Sequence, residues 1–223
     1  MNYDVIIVGA GPGGIYSAYE LMKKCGDKRI AVFDSGYSLK KRHCPIDGEK
    51  VKACIKCKSC SIMSGFGGAG AFSDGKYNIT NDFGGTLYEY IGKKAATELM
   101  QYVDEINMDH GGEGTKMYST AGTNLKKVCL QNRLKLLNAS VRHLGTDINL
   151  VVLGRLYDEL KEHVDFYFES PVSHIECLEN GGYRVWSNDK SYDCEKCIVS
   201  VGRSGSKWME HICKELDIPT KSN

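Results

Sequence analysis

The first 34 residues constrain this chain most. Val5, Ile6, Ile7 and Val8 form an apolar, β-branched run without polar alternation, as expected of a strand buried on both faces of a parallel sheet. Gly9, Ala10, Gly11, Pro12, Gly13 and Gly14 follow at once. Ile15, Ala18, Met22 and Cys25 then recur at helical spacing, and Gly26 and Asp27 end that pattern. Residues 30–33 are a second buried apolar run, closed by Asp34. Strand, glycine turn, helix, strand and acid in this order make a βαβ unit that binds a dinucleotide. Gly9 permits the tight turn, Gly11 lets the backbone approach a pyrophosphate, and Gly14 lets the helix pack on the sheet. The helix N-terminus offers unpaired N–H groups and a positive dipole end to phosphates, with Pro12 and Gly13 in the same turn. Asp34 stands 20 residues beyond Gly14. A carboxylate there accepts from the ribose hydroxyls of an ADP moiety, and its charge repels a 2′-phosphate, which disfavours NADP at this site.

Composition narrows the class without choosing a function. The 223 residues are enough for one good-sized domain with a real core. Lys+Arg is 29 and Asp+Glu 28, a net charge of +1, so nothing points to a nucleic-acid binder or a membrane-surface protein working by bulk charge. No apolar run approaches the ~18 residues of a membrane helix, and Asp4 interrupts any signal-peptide pattern. The expected compartment is the reducing cytoplasm, where clustered thiols serve as metal ligands or redox groups more often than as structural disulfides.

Ten cysteines make that point matter. Cys44 precedes Pro45, and Cys54, Cys57 and Cys60 follow at two-residue spacing, which lets successive thiolates converge on one centre. Four such ligands suit a 4Fe–4S cluster or tetrahedral zinc; redox-active thiols and inert cysteines are the other readings. Seven lysines and arginines around them, from Lys40 to Lys58, favour thiolate. Cys194 and Cys197 repeat the spacing but have no second pair nearby in sequence, and are read as sheet residues.

A glycine-rich stretch follows, with Gly67, Gly68, Ala69 and Gly70 between Phe66 and Phe72, then Ser73, Asp74 and Lys76. Its glycines let backbone approach something flat or anionic. Two phenylalanines are costly to leave in water, which argues against a flexible linker. Farther on, residues 87–106, 125–137 and 148–163 carry helical spacing. Short strands with turn signals follow at 165–168, 172–178, 183–187 and 191–193, with hairpin turns at Asn180, Gly181 and Gly182 and at Asn188 and Asp189. A last buried strand over 197–201 ends in Gly202 and Arg203.

Taken together, the Asp4–Gly14 fingerprint, the Cys44/54/57/60 run, the stretch from Ser64 to Lys76, and Ile198 to Gly205 resemble the two-dinucleotide-motif flavoproteins of the glutathione-reductase type. Within that group the chain is most similar to FAD-dependent dehydrogenases described as NAD(P)/FAD-dependent oxidoreductases. The resemblance covers the chain from Tyr3 to about Pro219. It implies an α/β, Rossmann-like FAD-binding domain, with a parallel sheet carrying helices on one face and an inserted three-stranded β-meander on the other. It implies one FAD/NAD(P)-binding domain over 1–223, with a Cys- and Gly-rich loop near 36–84 and the meander near 165–195. The substrate domain and last flavin motif of the family are expected to be absent.

The resemblance also implies roles. FAD occupies the first fold, with Gly9, Gly11, Pro12, Gly13 and Gly14 on the pyrophosphate and Asp34 on the ribose. Gly67, Gly68, Ala69, Gly70 and Ser73 lie toward the flavin. The Val172 backbone meets adenine, and Gly202 and Arg203 form a second, weaker FAD motif. NAD(P) is a candidate electron donor or acceptor, with a small-molecule substrate and an electron-carrier protein as candidate partners; neither nucleic acid nor membrane is expected. The resulting reading is the FAD-binding portion of a flavin-dependent oxidoreductase, with an iron–sulfur or zinc site on the cysteine run. The alternatives are a non-enzymatic ADP-cofactor module with structural zinc, and an iron–sulfur electron carrier. No residue stands out as a catalytic base.

Overall fold

A computed structural model describes residues 2–179 and 181–221. In chain order the elements are β1 (Asn2–Val8), α1 (Pro12–Lys24), β2 (Ile30–Phe33), β3 (Lys76–Ile79), α2 (Leu87–Ile91), α3 (Lys93–Asn107), β4 (Met117–Ser119) and α4 (Leu125–Gln131). Then come β5 (Ser140–His143), α5 (Gly145–Leu160), β6 (Val164–Tyr167), β7 (Val172–Cys177), β8 (Tyr183–Ser187), β9 (Lys190–Val199) and α6 (Ser206–Glu215). The chain divides into two compact units, residues 1–71 with 157–223, and residues 72–156. Among the described residues no helix is long and apolar enough to cross a membrane.

The first unit is built on a six-stranded sheet of order β6-β2-β1-β9-β8-β7. β6, β2, β1 and β9 run parallel, and β9, β8 and β7 form an antiparallel meander. β2 is buried along its whole length and β1 from Val5 onward, which is why neither alternates polar with apolar residues. One face of the parallel strands meets α1, where Ile15, Ala18, Tyr19 and Met22 are buried and Ile7 reaches Gly14. The other face supplies Tyr3, Ile6, Val8, Ala31 and Phe33 to a core shared with Val172, Ile175, Val185 and Cys194 of the meander and Ile212 of α6. The helix-and-meander sandwich expected from the sequence is therefore present. Phe33 stacks on Tyr167 with ring centroids 4.6 Å apart, and the Tyr3 hydroxyl donates to Asp165 Oδ2 at 2.7 Å. Burial, then its hydrogen bonds with the Tyr167 hydroxyl (2.7 Å) and with Asp165, push the Tyr3 hydroxyl well above the ordinary tyrosine range.

Three details differ from the sequence expectation. β6, expected within the meander run, instead pairs in parallel with β2, because it returns to the sheet through α5. The expected strands at 191–193 and 197–201 are one strand, β9, whose first half pairs with β8 and whose second half pairs with β1. Helix α6 has no counterpart in the sequence reading. The hairpin turn at Asn188 and Asp189 is as expected, both residues taking positive φ (48° and 59°). Asn180 of the other expected turn lies outside the described residues.

The second unit holds a three-stranded antiparallel sheet of order β3-β5-β4, with α2, α3, α4 and most of α5. The single helix expected over 87–106 is two, broken at Gly92, whose φ of +81° no helix interior accommodates. The helix expected over 125–137 stops at Gln131, and Leu134 and Leu137 beyond it are exposed. The unit is tied internally by Arg142 of β5. Its guanidinium makes a two-pronged pair with Asp104 of α3 at 3.0 and 2.7 Å and donates to the Thr115 carbonyl at 2.6 Å. Both side chains are largely buried, at 14% and 10% exposure. Asp104→Ala leaves that guanidinium without its counter-charge, and the expected cost is about 3 kcal/mol. Amide exchange across β5 measures it, and a loss under about 0.5 kcal/mol would show the pair to be dispensable.

Candidate functional site

The β1–α1 turn is shaped by backbone crowding. Gly9 has φ of +107°, and a Cβ there would fall well under 3 Å from the Ser200 carbonyl on the segment leaving β9. A Cβ on Gly14 would run into the Gly9 carbonyl. These two positions are glycine because the protein itself leaves no room. Gly11 differs. It caps α1 in ordinary extended geometry (φ −76°, ψ −178°), and a Cβ built on it has only Gly68 Cα within contact range, at 3.9 Å. Protein packing does not require glycine there.

The start of α1 has no side-chain cap and no acidic residue in its first turn. The first intrahelical bond runs from the Ile15 N–H to the Gly11 carbonyl at 2.9 Å, so the Gly13 and Gly14 amides lie ahead of the ladder. Gly11, Pro12 and Gly13 are accessible to solvent. The Ser200 hydroxyl crowds Gly13 and so borders the same turn, a residue the sequence reading did not single out.

Asp34 closes β2 beside this turn. Its Oδ2 accepts from the Ala10 N–H and its Oδ1 from the Gly36 N–H, both at 2.7 Å. The carboxylate therefore first orders the backbone of the turn. Each oxygen retains a lone pair for a further donor.

The structure brings the glycine-rich stretch onto the same turn, 56 to 58 residues downstream of its contacts. The Gly67 N–H donates to the Ala10 carbonyl at 2.8 Å. Gly68, in left-handed geometry, lies against Gly11 and Pro12, and Gly70 against the Pro12 ring. Ala69, beside them, is exposed. Phe66 is fully buried among Tyr157, Phe166 and Phe168, with ring centroids 5.0 to 6.4 Å away, so the stretch is anchored. Close approach is enforced again at Gly36 and Gly65, where a Cβ on either would strike the other segment's backbone.

The remaining expected residues are placed differently. Val172 opens β7 with its side chain in the core and its backbone in register with Ser187. Gly202 (φ +62°) and the exposed Arg203 follow β9, just after the Ser200 that borders the turn. Ser73 lies in the second unit, where its carbonyl accepts from the Thr146 hydroxyl at 3.1 Å.

Cys44, Cys54, Cys57 and Cys60, expected to converge as metal ligands, are not brought together. Among the described residues no group of three or more His, Cys, Asp or Glu side chains is close enough to hold a metal. All ten thiols are free, with Cys54, Cys57 and Cys60 exposed. The loop around them is ordered by other hydrogen bonds: the Asp47 carboxylate accepts from three successive amides, and the Cys60 carbonyl accepts from the Met63 and Ser64 amides. The expected thiol chemistry follows from exposure. In a disulfide-exchange titration of the native protein, Cys54, Cys57, Cys60 and Cys177 react first, while buried Cys194 and Cys213 react only on unfolding. Protection of Cys54, Cys57 and Cys60 until denaturation would contradict this loop.

No family model and no curated protein matches the sequence. Solved structures do. Glycine oxidase from Geobacillus kaustophilus superposes with a TM-score of 0.53 at 15% identity, over 97% of this chain and 58% of its own. Dithionite-reduced L-α-glycerophosphate oxidase from Mycoplasma pneumoniae, solved with FAD bound, gives a TM-score of 0.50 at 15% identity, over 96% of this chain and 57% of its own. The chain thus spans somewhat more than half the length of each. What it shares with these two oxidases is a mixed α/β, Rossmann-like fold.

Proposed function

We propose that this chain is the FAD-binding portion of a flavin-dependent oxidoreductase of the dehydrogenase type. The observation that carries the reading is the open side of Gly11. Gly9 and Gly14 are glycines because backbone fills the space, whereas Gly11 faces a place that backbone leaves clear. A pyrophosphate approaching there meets the Gly13 and Gly14 amides and the positive end of α1, with no acidic side chain in that first turn. Asp34 accepts from the adenosine ribose with its remaining lone pairs, and Gly67 to Gly70 form the wall beyond Pro12. The FAD in glycerophosphate oxidase, which shares the fold, is consistent with this choice of dinucleotide.

In this reading FAD supplies the hydride or electron transfer, and the protein supplies position and electrostatics. Gly13 and Gly14 fix the phosphates, Asp34 fixes the adenosine end, and Gly202 and Arg203 add a contact from the end of β9. The redox partners are a small-molecule substrate together with NAD(P) or an electron-carrier protein.

A visible spectrum decides it. Protein purified anaerobically and mixed with FAD should retain the flavin through gel filtration and bleach with dithionite. A colourless protein that lets added FAD pass through unbound would overturn the reading.

A further inference from the structure

We propose that Arg42 is a positioning residue of this site, fixing the Phe66–Gly67 peptide whose N–H docks the glycine stretch on the phosphate turn. The proposal rests on the reading of that turn as a cofactor cradle. Arg42 is 5% exposed, unusual for a residue with so costly a charge to desolvate. Its three nitrogens are spread over three carbonyls of one segment. Nε donates to Ser61 at 2.8 Å, Nη2 to Ile62 at 2.8 Å and Nη1 to Phe66 at 2.6 Å.

The third bond matters most. The Phe66 carbonyl and the Gly67 N–H belong to one planar peptide, so orienting one end orients the other. Arg42 holds the carbonyl end, and the N–H end donates to Ala10. Ala10 is in turn held by Asp34 through its own N–H. Arg42 and the 66–67 peptide thus reach the turn at the Ala10 carbonyl, whereas Asp34 holds the N–H of the separate 9–10 peptide. The stem of Arg42 also lies under Gly65, where a Cβ would come within 3.0 Å of its Cδ. Burial lowers the proton affinity of the guanidinium, and the charge of Asp34 opposes that. A lysine carries the charge but offers one nitrogen where the three carbonyls need a fork.

Arg42→Gln and Arg42→Lys test this with two readouts. In the ligand-free protein, Arg42→Gln should speed exchange of the Gly67 amide by about tenfold or more while the β1 amides are unchanged. In binding, it should weaken FAD and ADP by about 10- to 100-fold and leave adenosine, which lacks the pyrophosphate, unaffected in an NMR titration. Arg42→Lys should show the same pattern, smaller, and serves if the glutamine variant does not fold. Unchanged Gly67 exchange overturns the proposal whatever FAD does. Equal weakening of FAD and adenosine also overturns it, because that would mark a general structural role. If the unmodified protein itself leaves FAD unbound, the flavin reading fails, and the exchange measurement still decides what Arg42 does.

Discussion

Gly9→Ala is expected to cost the first unit about 4 kcal/mol or more of unfolding free energy, among the largest losses a single methyl can produce. Two causes act together. Gly9 sits at φ +107°, outside the regions open to an L-residue with a side chain. The added Cβ also points at the Ser200 carbonyl, which is backbone and held in place by its own N–H donation to the Val8 carbonyl at 2.7 Å. Relief requires β1 and β9 to separate at the centre of the sheet. Urea unfolding of cofactor-free protein, followed by Trp186 and Trp208 fluorescence, measures it. A loss below about 1 kcal/mol would mean that the turn can open, contrary to the packing described.

Gly11→Ala is expected to do the opposite: to spare the fold and damage the site. Its backbone geometry suits alanine, and the new methyl meets only Gly68 Cα, at ordinary contact distance. Alanine is a poorer N-cap than glycine, so a loss of about 1 kcal/mol or less is expected. The methyl would stand where the pyrophosphate approaches, and FAD affinity should fall by about 100-fold, equivalent to about 2.7 kcal/mol. Isothermal titration with FAD, paired with the same urea experiment, separates the two effects. Undiminished FAD affinity in the variant would remove the main support for placing a pyrophosphate at this turn. The contrast between two glycines two residues apart is the sharper test, because composition treats them alike.

Some of this was legible in the sequence because its causes are local. Residues 5–8 and 30–33 read as buried strands from their apolar, β-branched character, and both are. Gly9 to Gly14 stood between a strand and a helix, and the turn is there. Asn188 and Asp189 read as a two-residue turn because their side chains tolerate positive φ, and they adopt it.

Other features depended on partners far along the chain. No spacing rule connects Arg42 to the Phe66 carbonyl, 24 residues away, yet that bond orients the docked peptide. A buried arginine looks like any other basic residue among Lys40, Lys41 and Lys50. The cysteines at 54, 57 and 60 have ligand spacing, but spacing alone does not bring thiols to one point, and the fold leaves them exposed. β9 reads as two strands in the sequence, and only its pairing with β8 and then β1 shows them to be one.

By itself, then, the sequence determined the βαβ unit, its glycine-rich turn and the acid at its end, since each follows from backbone preferences and burial over a few neighbouring residues. The tertiary structure decided which distant segment covers that turn, what holds it there, and which glycine faces backbone and which faces open space, because those depend on contacts between residues that only the folded sheet brings together.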